Sequence, residues 1–278
     1  MSQSRRRLLE YLVVIVIAVV ATYGLITVVS PRSAATTQAS IFDDIIARGV
    51  LRAGIPIGGL PVASRDASGA IVGFVPDMAA EMAKALGVTL EIVDTPGPDR
   101  IPFLQAGKID FSVGTITLER AKAVGFTKIW AVDGTASAVL TDGTVKSYDD
   151  LAGKRIVVVT GATGDLVATK LYPGNEIQRV DLASTAIQAV LSGQADIVFD
   201  DNSALNLAAA ESGKLTVLAA VSTEPSGLMV PIGDQKWTNW LNYFLDDFYS
   251  SGVSTCGCGA ELFKKWFGAE PLPMNFSY

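Results

Sequence analysis

The apolar residues of this chain fall into three patterns, and each predicts a different kind of element. The first is unbroken: Tyr11 to Val29 (YLVVIVIAVVATYGLITVV) carries no charge and follows Arg5, Arg6 and Arg7. A basic stretch ahead of an apolar run predicts an export signal or a membrane anchor. The second pattern is short and rich in β-branched residues. VLRAGI (50–55), VTLEIVD (88–94) and IVVV (156–159) predict strands. The third has a helical period. FVPDMAAEMAKALG (74–87) reads as a helix closed by Gly87, and SYDDLAGKRIVVVT as a helical turn running into a strand. In WTNWLNYFLDDFY, Trp237, Trp240, Leu241, Phe244, Leu245 and Phe248 stand at i, i+3, i+4, i+7, i+8 and i+11. That is a wide apolar helix face suited to a core.

One arrangement occurs twice. LQAGKIDFSVGT (104–115) and LSGQADIVFDD (191–201) each give Leu, a Gly, an Asp three residues later and a short apolar run. Gly107 and Gly193 are placed to end a helix in the left-handed conformation, which costs Gly nothing sterically. The runs that follow predict buried strands of mostly parallel sheets, hence two similar α/β lobes. Ligands of open α/β sheets sit beyond the carboxyl ends of strands. Those ends deliver Gly114-Thr115 in one unit and Asp200-Asp201 in the other.

Composition narrows the function. Residues 1–39 are read as a signal peptide, with small residues at Thr37 and Ala39 or at Ser33 and Ala35 for cleavage, or as an anchor retained through residues 11–29. No Cys near the end of this segment offers a lipid attachment point. Either way the rest is expected outside the cytoplasmic membrane, in the periplasm. Residues 1–39 contain four Arg and one Glu, so 22 basic and 28 acidic residues become 18 and 27 without them, a charge of −9. An acidic chain is a poor partner for nucleic acid, whose affinity depends on Lys and Arg neutralising phosphates. The absence of His removes His-based triads, most catalytic zinc sites and the commonest general base. Cys256-Gly257-Cys258 is either a local disulfide of an oxidising compartment or two free thiols. No metal site and no cofactor are expected.

IVVVTGATGD (156–165) raises a specific alternative, a dinucleotide-binding turn between strand and helix. Gly161 and Gly164 are present, and Asp181 follows at about the distance at which an acid would meet the ribose. The third glycine is missing, because position 167 is Val, and no Tyr is followed four residues later by Lys as a short-chain dehydrogenase requires. The nicotinamide cofactor is also scarce outside the cytoplasm.

The ordered series GVLRAGI, GFVPDMAAEMAKALG, RIPFLQAGKIDFSVGTITLERAKAVGFT, DLAGKRIVVVTGATGD, AIQAVLSGQADIVFDD and LFKKWFG resembles the family-3 periplasmic solute-binding proteins, the polar amino-acid receptors of bacterial ABC importers. The resemblance implies a two-lobed, type II periplasmic-binding-protein-like α/β fold. Two crossover strands, near 132–138 and 222–228, would join the lobes around a ligand cleft. Lobe 1 would comprise 40–135 and 226–278, and lobe 2 would comprise 136–225. By the family pattern TGATG would face the cleft, its amides at a helix N-terminus attracting an anion as a phosphate loop does. That anion would be an amino acid's α-carboxylate, met by the N–H of Thr163 with Thr160 and Gly164 nearby. Thr115 would donate to it and Arg120 would clamp it. Asp201 rather than Asp200 would take the α-ammonium, since successive strand residues point to opposite sides.

The pattern also breaks. Gly59 and Gly97 stand where aromatic residues that stack on the ligand are expected, so the pocket should be roomier. Arg100, just before Ile-Pro, would read a polar ligand side chain, an acidic one included. Asp77 is expected to cap its helix. The implied function is that of a monomeric, non-enzymatic receptor for a polar amino acid or similar zwitterion, working with an ABC permease. The alternative is a periplasmic cyclohexadienyl or arogenate dehydratase-like enzyme on the same fold.

Overall fold

A computed structural model describes residues 40–250 and 253–271, together with Val13 and residues 15–20. Residues 1–39 form a unit separate from Ser40–Tyr278. Val13 and residues 15–20 are helical and exposed; the rest of the 11–29 run and the expected cleavage positions lie outside the described residues. Among the described residues no helix is long and apolar enough to cross a membrane.

The larger unit is built on two five-stranded sheets. The first contains β1 (Val50–Ile55), β4 (Thr89–Asp94), β5 (Phe111–Thr115), β6 (Gly125–Asp133) and β12 (Glu224–Val230), in the order β4-β1-β5-β12-β6. The second contains β7 (Thr135–Leu140), β8 (Arg155–Val159), β9 (Glu176–Val180), β10 (Ile197–Asp201) and β11 (Leu215–Leu218), in the order β11-β7-β10-β8-β9. β2 (Ser64–Arg65) and β3 (Ile71–Val72) form a small antiparallel pair. In each large sheet three strands are parallel, β4-β1-β5 and β10-β8-β9, and the other two run antiparallel to their neighbours. The antiparallel strands, β6 and β12 in one sheet and β7 and β11 in the other, are those through which the chain passes directly between sheets. Of these, only β12 and β7 run against the three parallel strands of their sheet; β6 and β11, each antiparallel to its single neighbour, run with them.

The repeated motif becomes one device used in both sheets. α3 (Arg100–Gln105) and α5 (Ala183–Leu191) each lead to a left-handed glycine, Gly107 at φ 64° and Gly193 at φ 74°. The Asp that follows ties its strand to the next. Asp110 accepts from the Arg52 N–H of β1 at 2.7 Å, and Asp196 accepts from the Arg155 N–H of β8 at 2.8 Å. Each carboxylate also pairs with the side chain of the same arginine.

α1 (Ile41–Arg48), α2 (Phe74–Leu86), α7 (Gln235–Tyr249) and α8 (Gly259–Phe267) pack on the first sheet. α4 (Thr163–Leu171), α5 and α6 (Asn202–Ser212) cover the second. Of the α7 face, Trp237, Leu241, Phe244, Leu245 and Phe248 are buried, and Trp237 Nε1 donates to the Asp110 carbonyl at 2.9 Å. Trp240 stays partly buried at the edge of that core. Asp77 makes no capping bond; it accepts from Trp266 Nε1 at 2.7 Å and so fastens α8 to α2. Cys256 and Cys258 are joined as a disulfide.

The two passages between sheets run side by side, one through Gly134 and the other between Leu218 and Glu224. The Val221 N–H donates to the Thr135 carbonyl at 2.8 Å, and the Thr135 N–H to Ser222 Oγ at 2.9 Å. A Cβ on Gly134 would stand 2.2 Å from the Ser222 carbonyl oxygen, so only glycine allows the passages to approach this closely.

Candidate functional site

The carboxyl ends of β1, β5, β8 and β10 open on one cavity between the two sheets, of about 160 Å³. A water needs roughly 10–15 Å³ of such space, so the cavity accommodates a free amino acid. From the first sheet come Pro56–Val62, Gly97, Arg100, Thr115, Arg120, Trp130, Asp133 and Glu224. The second sheet contributes Ala162, Thr163, Asp181–Ala183, Asp200 and Asp201.

Five of the seven residues singled out in the sequence therefore line one space: Arg100, Thr115, Arg120, Thr163 and Asp201. Thr160 and Gly164 do not. Both the N–H and the hydroxyl of Thr160 are spent on the Val180 carbonyl, at 2.8 and 3.1 Å. Gly164 lies against β10, where a Cβ would come within 2.5 Å of the Phe199 carbonyl oxygen. It allows α4 to approach the strand and is buried there.

Thr115 ends β5, and its hydroxyl donates to Glu224 at 3.3 Å. Arg120 begins a single 3-10 turn. Its Nη1 donates to the Thr115 carbonyl at 2.9 Å and its Nη2 reaches across the cleft to the Gly161 carbonyl at 3.1 Å. Thr163 is the first residue of α4, whose cap residue Ala162 makes no side-chain bond, so the first-turn N–H groups face the cleft without a side-chain acceptor. Asp201 precedes α6, but its carboxylate does not cap that helix and is left to the cavity.

Three corrections follow from the tertiary structure. Both Asp200 and Asp201 line the cavity: they are the last two residues of β10, and at Asp201 the chain already turns into α6, so strand alternation does not separate them. Arg100 donates through Nη1 to the Val113 carbonyl at 2.8 Å and through Nε to the Gly97 carbonyl at 3.3 Å, which commits part of its fork to the backbone. Aromatic surface is present after all. Trp130, stacked on Phe74 at 5.3 Å, and Phe267 of α8 line the cavity. Gly97 leaves room for the lobes to meet, since a Cβ there would lie 2.9 Å from the Thr160 carbonyl oxygen; at Gly59 a Cβ would make only an ordinary 3.6 Å contact with Ala183.

Two carboxylates that sequence reasoning passed over complete the site. Glu224 accepts from the hydroxyls of Thr135 and Ser222, both at 2.6 Å, and from Thr115 and Thr163. Burial pushes its acidity down, but these bonds outweigh burial and hold its pKa below the usual value. Asp133 accepts the Gly134 N–H at 2.9 Å and the Ser203 hydroxyl at 2.5 Å; burial leaves its pKa raised. Asp200 is pushed up to about 6, chiefly by burial, with Asp133 adding repulsion. Asp201 is held well above the usual carboxylate range by burial and by Asp200, Asp133 and Glu224, against the attraction of Arg100. Burial and the neighbouring Arg120 lower Arg100 to about 10, so it stays charged at neutral pH. The segment TEPSG gave no sign of an acid in the cleft, since its role depends on two passages meeting.

The family of bacterial extracellular solute-binding proteins, family 3, matches residues 51–269. The chain is similar to the glutamine-binding protein of an ABC transporter from Bacillus subtilis, 30% identical over 211 residues, 73% of this chain and 76% of that one. Among solved structures, a mutant of ArgBP from T. maritima, a protein also solved arginine-bound, is 34% identical with a TM-score of 0.75, over 82% of this chain and 99% of the other. The ancestral amino acid-binding protein AncCDT-1, a precursor of cyclohexadienyl dehydratase, is 32% identical with a TM-score of 0.75, over 82% and 100%.

Proposed function

The chain belongs to the bacterial extracellular solute-binding proteins of family 3, and from that premise we propose that it is the receptor of an amino-acid ABC importer, closing on a polar α-amino acid. Members of the family bind amino-acid ligands outside the cytoplasmic membrane and work with an ABC transporter permease. The observation that carries the reading is that Arg120, from one lobe, and Asp201, from the other, line the same cavity. A zwitterion joins them: its α-carboxylate meets Arg120, the Thr115 hydroxyl and the N-terminus of α4 at Thr163, and its α-ammonium meets Asp201. A charge-assisted bond of this kind contributes roughly 1.5–3 kcal/mol, more than a neutral one.

Binding and closure are one equilibrium, because the ligand touches both lobes only when they are together. Two direct bonds support such a closed state, from Ser184 N–H to the Gly58 carbonyl and from Arg120 Nη2 to the Gly161 carbonyl, both at 3.1 Å. The receptor acts in the periplasm as a monomer and offers its closed form to the permease, without chemistry on the ligand. Thermal melting against a panel of amino acids tests this. At about 1,000 times its dissociation constant a ligand adds about 4 kcal/mol of stability. Arg120→Ala is expected to abolish the shift while changing the unliganded melt little, and a shift that survives the substitution would refute the clamp.

A second reading, a dehydratase acting on prephenate or arogenate, draws on the carboxyl groups of raised pKa in the cleft. Asp200 and Asp201 offer the acid that loss of a hydroxyl requires. Product formed from prephenate, with no response to any amino acid, would establish it in place of the receptor.

A further inference from the structure

Charge in the cavity is unequal. Four carboxylates, Asp133, Asp200, Asp201 and Glu224, face two guanidinium groups, Arg100 and Arg120, and Asp181 adds a fifth acid at the exposed rim. An amino acid with a neutral side chain leaves this surplus as it is, an acidic one enlarges it, and a basic one reduces it. In a closed cleft such differences are amplified, since charges interact far more strongly there than in water.

A second observation separates this cluster from a solvated acidic patch. Asp200 is only 7% exposed, and while its Oδ1 accepts the Asp201 N–H at 2.8 Å, its Oδ2 is buried without a hydrogen-bond partner. Asp133 and Glu224 are supplied with hydroxyl and N–H donors; Asp200 is not. A buried, under-donated carboxylate beside a ligand cavity is costly unless a positive charge approaches it. Arg100 does not supply that charge by contact: its bonds run to the Gly97 and Val113 carbonyls. Nor does a metal fit, since among the described residues no group of acids is arranged to hold one.

We infer that the ligand carries a basic side chain, and that Asp200 is the residue whose charge selects it. Asp201 pairs with the α-ammonium, while Asp200 supplies the further negative charge that a side-chain cation balances. The inference rests on the amino-acid receptor reading and narrows it. It also departs from the expectation that Arg100 reads a polar ligand side chain, an acidic one included.

L-arginine and L-citrulline provide the test, because they have the same shape and differ in side-chain charge. Calorimetric titration of the full chain at neutral pH should give arginine at least about tenfold tighter binding than citrulline, with lysine favoured over glutamine and glutamate. In Asp200→Asn the ratio of arginine to citrulline should fall to within about threefold. Citrulline or glutamate binding as tightly as arginine would overturn the inference and leave the receptor reading standing. A ratio unchanged in Asp200→Asn would overturn the role of Asp200. Binding of no amino acid at all would remove the receptor reading itself.

Discussion

Replacing Asp200 by Asn isolates the energetic consequence of the buried carboxylate. Its folded-state pKa of about 6 lies above the ordinary 3.8, because burial disfavours its charge. An acid with a raised folded-state pKa binds its proton more tightly when folded. Its stabilising contribution is therefore complete below the unfolded value and is lost as pH rises through the folded one. The gap of about 2.2 pH units, at about 1.36 kcal/mol each, sets a ceiling of about 3 kcal/mol between the fully protonated and fully ionised protein. Between about pH 7.5 and about pH 5 the same two pKa values give a gain of about 1.4 kcal/mol. Asn cannot titrate, so this part of the pH dependence should vanish in the variant. Stability at one pH is the poorer readout, because the new amide would place an N–H where Oδ2 has no partner, at a cost of about 1–3 kcal/mol. The assay is urea unfolding of wild type and Asp200→Asn at both pH values without ligand. Wild type should gain about 1.4 kcal/mol more than the variant on acidification. Equal gains would show that Asp200 is not held in a charge-disfavouring environment, and the argument for cation selectivity would fail with it.

Gly97→Ala should weaken binding of any ligand at least about tenfold, since the added Cβ meets the Thr160 carbonyl oxygen at 2.9 Å and keeps the lobes from closing; small-angle scattering with and without ligand reads the closure. Trp237→Ala should cost about 3–5 kcal/mol, as it empties a fully buried site and orphans the Asp110 carbonyl; chemical denaturation measures it. Gly134→Ala forces the passages apart at a 2.2 Å contact and should lower thermal stability while also loosening the ligand site, because Glu224 lies on the same passage. If Gly134→Ala binds and melts like wild type, the passages do not meet as described.

The fold was largely legible in the chain because its signals are local. The period of α7, the glycines closing α2, α3 and α5, and the apolar runs of β1, β8 and β10 depend on neighbours within a few residues. Arg120, Thr115 and Asp201 were expected at the site because their motifs resemble the family's, and Thr115 and Asp201 close strands whose carboxyl ends meet the cleft by topology. Asp133, Glu224 and Asp200 could not. Asp133 and Glu224 enter the site only because two distant passages touch at Gly134, and Asp200 does so because a strand ends one residue later. Aromatic contact was expected to be lost at Gly59 and Gly97; Trp130 and Phe267 supply it from positions far apart in the chain, α8 being fastened to α2 through Asp77 and Trp266.

The sequence by itself determined the elements and their pairing into two α/β halves, since these follow from periodicity and required glycines; the residues expected to hold a zwitterion came from the family resemblance. Tertiary structure alone decided the charge of the cavity. That quantity is a sum over groups as far apart in the chain as Arg100 and Glu224, and burial sets the weight of each.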